Sequence, residues 1–420
     1  IGSHAGNQSQ SENAIAIGSR SGNQDQSYNA IAIGVNAGFE RQGIRSIAIG
    51  DRAGETDQSD NAVAIGYTAG VTQGDSAVAI GHRAGRTDQS YNAISIGYQA
   101  GYEYQSYNSV AIGSSAGYQN QDSSSVAIGP YAGYQDQSFN SVAIGSHAGN
   151  QSQSSNAIAI GNNAGAQSQS NNTIAIGFQA GGEKQSYKAV SIGSQAGKFR
   201  QDASAVAVGP GAGWRDQSYN AVAVGSGAGN QNQGHSSVAV GRRAGHIDQS
   251  DNSVAIGYYA GKNTQGDNCV AIGHQAGLTV QETHSIAIGR LAGELNQKRY
   301  SVAMGFGAGR TNQDPSSVAI GHEAGNSAQG ANAVAVGHDA GKSTQGDNCV
   351  AIGAFAGQTG QLNSSVAIGH RAGENGMGIN SIYIGNNAGK TSVAHDNNII
   401  IDACGNGMKS ARPPLENTTI

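Results

Sequence analysis

A pair of glycines recurs along this chain in a fixed register. Ile-Gly, Val-Gly or Met-Gly ends a unit at Gly2, Gly18, Gly34, Gly50 and Gly66, then after one 15-residue step at Gly81, then every 16 residues to Gly385. A second glycine follows each first one four residues later, from Gly6, Gly22 and Gly38 to Gly389, so 50 of the 65 glycines sit at two points of one repeat. The unit reads G-x-x-A-G-x-x-x-Q-x-x-N-[A/S]-[I/V]-A-[I/V]. Its shortness excludes helical arrays, whose units need roughly 30 residues or more. The segment Asn13 to Gly18 alternates large β-branched and small residues with period two, which predicts a strand. A strand, a glycine corner, a second short extended stretch and a return make one rung of a parallel β-solenoid. Gly2, Gly6, Gly18, Gly22, Gly34, Gly38 and their successors are expected at corners with positive φ or where backbones approach closely.

The expected fold class is therefore all-β: a parallel β-solenoid, or β-roll, of about 24 coils with 16-residue repeats. Rungs about 4.8 Å apart would give a rod roughly 115 Å long. The repeat spans residues 1–389, and 390–420 read as a C-terminal cap and tail. There Ile399-Ile400-Ile401 predicts a last strand, and Pro413-Pro414 ends any ladder. Solenoid ends need such a cap, because an open rung invites end-to-end association. The alternative is a chain that continues past Ile420. Ile1 already fills the last strand site of a coil, which suggests a fragment or processed product.

Columns follow from the register. Ile15 should stack on Ile31 and Ile47, and Ile17 on Ile33 and Ile49, as the large aliphatics of the rung. A glutamine column runs through Gln10, Gln26, Gln42, Gln58, Gln73 and Gln89 to Gln361, broken once by Met377. In-register amides can satisfy one another from rung to rung. Asparagine precedes the strand in 14 of 24 rungs, which suggests a second ladder at the turn. Two aliphatics per rung, worth about 1.5–3 kcal/mol each if buried, stand against an ordering cost on the order of 20 kcal/mol. The alternating alanines, such as Ala14 and Ala16, form a small-residue face of opposite parity. That face is expected to pack against a second copy of the chain, giving a homo-oligomer of parallel chains. The two residues after each first glycine vary freely and are expected in water.

Composition bounds the function. Hydrophobic residues make up 37% and charged residues 12%, low values that alone would point to disorder; the placed glycines override this. Collagen needs glycine at every third residue and much proline, and only five prolines are present. No run of about 18 apolar residues reads as a membrane-crossing helix. The net charge of −5 comes with no basic block, so a nucleic-acid partner is not expected.

The search for chemistry yields little. Cys269 and Cys349 share one repeat position five coils apart, too far for a disulfide within the chain, and read as small buried residues replacing alanine or serine. The sharper alternative is that equivalent cysteines meet at an oligomer axis. Seven of eleven histidines fall on the two free positions, and His322 and His338 would stack beside Glu323 and Asp339. Solvated side chains are the expected reading there, so no metal and no cofactor is assigned. No aspartate column supports a calcium β-roll, no threonine array an ice-binding surface, and no acidic cluster a polysaccharide-cleaving helix, so catalysis is not expected. Tyr28, Tyr91, Tyr107, Phe139, Tyr187 and Tyr219, each two residues after the column glutamine, are candidate contacts for a host glycan or protein; the plainer reading is edge shielding or subunit packing. Sequons at Asn7, Asn150, Asn171, Asn363 and Asn417 are near chance in so Asn- and Ser-rich a chain.

The unit Ser-Val-Ala-Ile-Gly-x-x-Ala-Gly, at Ser109–Gly117 and Ser141–Gly149, resembles the head repeats of YadA-like trimeric autotransporter adhesins. Arrays with the added glutamine also look like fibre proteins of giant viruses and phage tail fibres. The resemblance implies a left-handed β-roll, a homotrimer and a place on a cell or virion surface. The expected function is a structural component of an extracellular or virion-surface fibre, a rigid elongated rod; the alternative is a receptor- or glycan-binding adhesin of the same architecture.

Overall fold

Each repeat closes one turn of backbone, made in most coils of two short strands and two tight turns. In the computed structural model, which describes residues 1–390 and 394–402, the coil beginning at Gly113 is typical. Strand Gln119–Gln121 follows the glycine corner, a turn at 123–124 reverses the chain, and strand Val126–Ile128 leads into Gly129. Each strand pairs in parallel with its equivalent in the next coil: Val126 with Val142, Ala127 with Ala143, Gln121 with Gln137. Two parallel sheets result, one of Ile/Val-Ala-Ile/Val strands and one of x-x-Gln strands. The chain forms two units, Ile1–Gly211 and Ala212–Ile420. Each is a parallel β-solenoid; the chain counts about 24 coils of some 16 residues, and no described residue is helical.

Hydrogen bonds run around the whole coil and not only along the strands. Gly117 N donates to Ala132 O at 2.9 Å and Asp122 N to Gln137 O at 2.8 Å, while Tyr131 N reaches back to Ser114 O at 2.9 Å. Turn residues are thus tied to both neighbouring coils, which satisfies the backbone groups that a thin cross-section would otherwise leave bare. The 15-residue step leaves the register intact: Val63 pairs with Val78, and Gln58 with Gln73. The missing residue is absorbed between Gly70 and Gln73.

The interior reverses the expected strand parity. Ala111, Ala127 and Ala143 are 0% exposed, while the flanking aliphatics face outward, with Ile15 at 45% and Ile128 at 36%. The alanine face is therefore the core of each coil and cannot be a surface for a second chain. The reason is thickness. A Cβ placed on the corner Gly117 would lie 3.2 Å from Ala111 Cβ and 2.5 Å from Gln121 Oε1. A gap that narrow holds alanine methyls and a flat carboxamide, not two layers of isoleucine. Ala116 and Ala132, from the G-x-x-A positions, complete the same buried cluster.

The x-x-Gln sheet frays to single bridges at Gln10, Gln26 and Gln42. At the other end Met377 replaces the glutamine and Tyr383 the core alanine, both fully buried, and Asn398 Nδ2 donates to Tyr383 OH at 3.1 Å. Strand Ile399–Asp402 then pairs in parallel with Ile382–Gly385. The readings made for Pro413, Pro414 and the Asn417 sequon lie outside the described residues.

Candidate functional site

The glutamines singled out in the sequence line the interior. Gln26, Gln42, Gln58, Gln73 and Gln89 are buried, and Gln10, in the first coil, is exposed. Nε2 of Gln10 donates to Gln26 Oε1 at 3.1 Å, Gln42 to Gln58 and Gln58 to Gln73 at 3.2 Å, and Gln73 to Gln89 at 3.0 Å. The second N–H crosses the coil to a strand carbonyl, as from Gln42 Nε2 to Ile31 O at 2.8 Å. Gln26 instead donates to Ile15 O and Ala30 O, and the buried Gln42 Oε1 accepts no hydrogen bond. Ser95, standing where other coils have the core alanine, enters the column: its hydroxyl donates to Gln105 Oε1 and accepts from Gln89 Nε2 at 3.3 Å. From Gln26 onward the column holds each coil together from within and is shut off from solvent.

The corner glycines have two distinct geometries. Gly2, Gly18 and Gly34 have φ of +134°, +129° and +133°, and Gly6, Gly22 and Gly38 have φ of +58°, +51° and +52°. Cys269 and Cys349 are fully buried in their coils, so neither thiol reaches another chain. Burial pushes the Cys269 thiol above its ordinary range, and its sulfur lies 2.8 Å from Glu282 O.

Outside the coil, the most regular feature is the row of half-exposed Val and Ile side chains on the Ala-centred sheet. Ile15, Ile31 and Ile47 pair in register, as do Ile17, Ile33 and Ile49. In each unit this face repeats coil after coil, half-exposed on both sides of every buried alanine. Such a face is large, apolar and uniform, the character of a surface meant to be covered.

The six sequence-selected aromatics lie on the turn between the two strands, and all are exposed. Tyr91 and Tyr107 stack face to face, 5.2 Å apart and 5° from parallel. Tyr28 OH donates to Glu12 Oε2 at 3.3 Å, and Lys188 Nζ sits 4.9 Å above the Tyr187 ring. Other aromatic columns escaped the sequence reading. Tyr102, Tyr118 and Tyr134 stack at 4.9 and 5.0 Å, with Arg86 over the first ring, and Tyr67, His82 and Tyr98 at 5.2 and 5.1 Å. Burial and neighbouring phenols raise the Tyr118 pKa. The signal was present, since those tyrosines are spaced by 16 residues or by 16 and the single 15-residue step. In-register stacking turns ring faces towards each other, which leaves mainly edges for a ligand.

Charges pair across coils in the same manner. Arg41 meets Asp57 at 2.5 Å, Lys298 meets Glu282 at 2.9 Å and Arg310 meets Glu294 at 2.6 Å. The Lys298 hydrogen bond holds the Glu282 carboxyl below its usual range. These are surface pairs of small net worth. The position two after the first glycine is not uniformly wet as expected: Thr68, Ser115 and Asp339 are buried. In the second unit His322 and His338 stack at 4.7 Å beside Asp339.

Among known proteins, the YadA head domain repeat matches residues 58–84, in two copies. No curated protein and no solved structure matches the chain. The matched repeat and the parallel solenoid together fit a YadA-like β-roll repeat protein.

Proposed function

We propose that the chain is a structural segment of a homotrimeric surface fibre, built from adhesin-type β-roll coils and carrying no catalytic step. The observation behind this reading is the outward aliphatic row, Val or Ile except at Met304, repeated through the described coils of both units beside a buried core that is alanine except at Ser95, Ser191 and Tyr383. A local ligand site needs a local departure from the repeat, whereas a face identical in each coil suits a partner with the same period. The partner that meets this requirement is another copy of the chain, with coils level. Three copies around one axis, as in the YadA-like β-rolls that the matched repeat resembles, would cover the row and leave the turns in water. The same resemblance supports a place on a cell surface. Where tyrosines stack on one another, as Tyr91 on Tyr107 and Tyr102 on Tyr118, they favour a structural role over glycan binding, which works best with a free ring face.

Sedimentation equilibrium tests the assembly. The wild-type chain is expected as a trimer, and the triple variant Ile128→Ser, Ile144→Ser, Ile160→Ser as a weaker one that dissociates on dilution, with its far-UV circular dichroism unchanged. A wild-type chain that stays monomeric at high concentration would remove the trimer. A glycan array showing tight binding lost with a single aromatic patch would favour the adhesin instead.

A further inference from the structure

We propose that His322, His338 and Asp339 form a binding site for a divalent transition-metal ion of the zinc and copper class. The ligand atoms of the three side chains, two imidazole nitrogens and a carboxylate oxygen, lie within 4.8 Å of one another. Tetrahedral zinc, with bonds of about 2.0–2.1 Å, holds its ligands roughly 3.4 Å apart. Closing the gap asks each side chain to move by less than about 1 Å, well within a rotation of exposed imidazoles.

The repeat builds the site. His322 and His338 occupy the same position of successive coils, so register alone brings the rings to 4.7 Å and 3° from parallel. Phe306 stacks on the far face of His322 at 5.0 Å, and Phe355 lies 5.1 Å from His338, so the imidazole pair is flanked by apolar rings. Asp339 is held from the backbone by its N–H, which donates to His322 O at 2.8 Å. Its side chain is only 9% exposed. Oδ2 accepts from Gln358 Nε2 at 3.3 Å and lies 3.7 Å from His338 Nδ1. Oδ1 is buried and accepts no hydrogen bond, although Lys342 Nζ stands 3.3 Å away. The Lys342 ammonium is the cation that faces this oxygen. Buried carboxylates are either paired in this way or coordinate a metal, and a metal ion beside two imidazoles would be the divalent alternative.

Donor chemistry selects the ion. Two nitrogens and one carboxylate oxygen suit zinc, copper, nickel or cobalt, while calcium and magnesium seek all-oxygen shells. Three protein ligands leave a position for water. Lys342 is the internal competitor, because its ammonium bridges Asp339 and Glu323, the latter at 2.5 Å. Metal entry would leave Lys342 on Glu323 alone.

Calorimetric titration of the full chain with zinc chloride tests the site, with copper(II) electron paramagnetic resonance as the structural probe. Zinc is expected to bind once per chain, and the copper spectrum to show coupling to two nitrogens. His338→Gln, at an exposed ring, should weaken zinc binding by about tenfold or more, as should Asp339→Asn. Lys342→Ala should strengthen it several-fold by freeing Asp339, an effect that a merely structural role would not produce. His82→Gln, in the other unit, should leave it unchanged. Absence of a one-to-one zinc site, or binding indifferent to His338→Gln and Lys342→Ala, would overturn the proposal.

Discussion

Five residues of a typical coil have positive φ, and only two of them are glycine. In the coil beginning at Gly113 these are Gly113 (+130°), Ser115 (+53°), Gly117 (+53°), Asn120 (+52°) and Ser124 (+58°). An L-residue in the left-handed region costs about 1–2 kcal/mol, so the coil keeps that conformation only because the ladders bind it. Ser115 N donates to Tyr98 O at 2.8 Å and Ser124 N to Tyr107 O at 3.0 Å. The two glycine columns were legible because no other residue fits there. The left-handed column at Ser115 was not, since Tyr131, Leu291 and Asp339 take the same angle elsewhere. At Ser124 the frequent asparagine was a half-read signal: asparagine tolerates positive φ well, and ladder bonds such as Asn92 to Asn108 at 3.3 Å come in addition. A corner glycine and a glycine outside the two corner columns respond differently to substitution. Gly129 has φ of +121°, and a Cβ there would lie 2.9 Å from the Gly145 carbonyl carbon, so Gly129→Ala should lower the melting temperature sharply or prevent folding. Gly360 has φ of +59° with nothing within 4 Å of its Cβ direction, and Gly360→Asn should stay within about 0.5 kcal/mol of wild type. Equal melting temperatures for the two variants would contradict this assignment of constraint.

At the scale of the strand pair, the glutamine column is what joins the two sheets. Gln137 Nε2 donates to Val126 O at 2.9 Å and to Gln153 Oε1 at 3.3 Å, and Gln137 Oε1 accepts from Gln121 at 3.2 Å. Leucine has similar bulk but none of these partners. Gln137→Leu would strand buried groups worth about 1–3 kcal/mol each, and a local loss of about 2–5 kcal/mol is expected. Amide hydrogen exchange at Val126 and Val142 should accelerate accordingly, with distant coils little changed; unchanged exchange there would show that the column carries no stability. The chain makes one coordinated exit from this chemistry, at Met377 and Tyr383, where both sheets turn apolar together. The glutamine period was plain in the sequence. Which strand face is interior was not, because period-two alternation separates two faces without saying which is covered.

Each unit as a whole is a sum of near-identical neighbours, so stability is expected to depend on coil-to-coil contacts more than on any distant residue. Deleting residues 146–161 removes one complete repeat and joins Gly145 to Asn162, with Gln137 then meeting Gln169. The shortened chain should keep its circular dichroism and its association state. Deleting only 146–153 places unlike positions opposite one another and should abolish folding. A chain intolerant of the full-coil deletion would argue that the removed coil holds something specific, against a uniform structural segment. The metal site fits this picture as a local departure: two histidines in one column, with a buried aspartate beside them, in an otherwise uniform array.

The amino-acid sequence by itself determined the period, the strand and corner positions, the glutamine column and the parallel stacking. Each of these is a pattern along the chain, and a register held from Gly2 to Gly385 leaves one way to stack it. Only the tertiary structure decided that alanine fills the coil and isoleucine faces outward, because that depends on the distance between two sheets, a quantity no single strand carries. It likewise decided that an aspartate on a variable turn is buried against two histidines. The surface left by that choice, a uniform aliphatic row, is the one that another chain would cover.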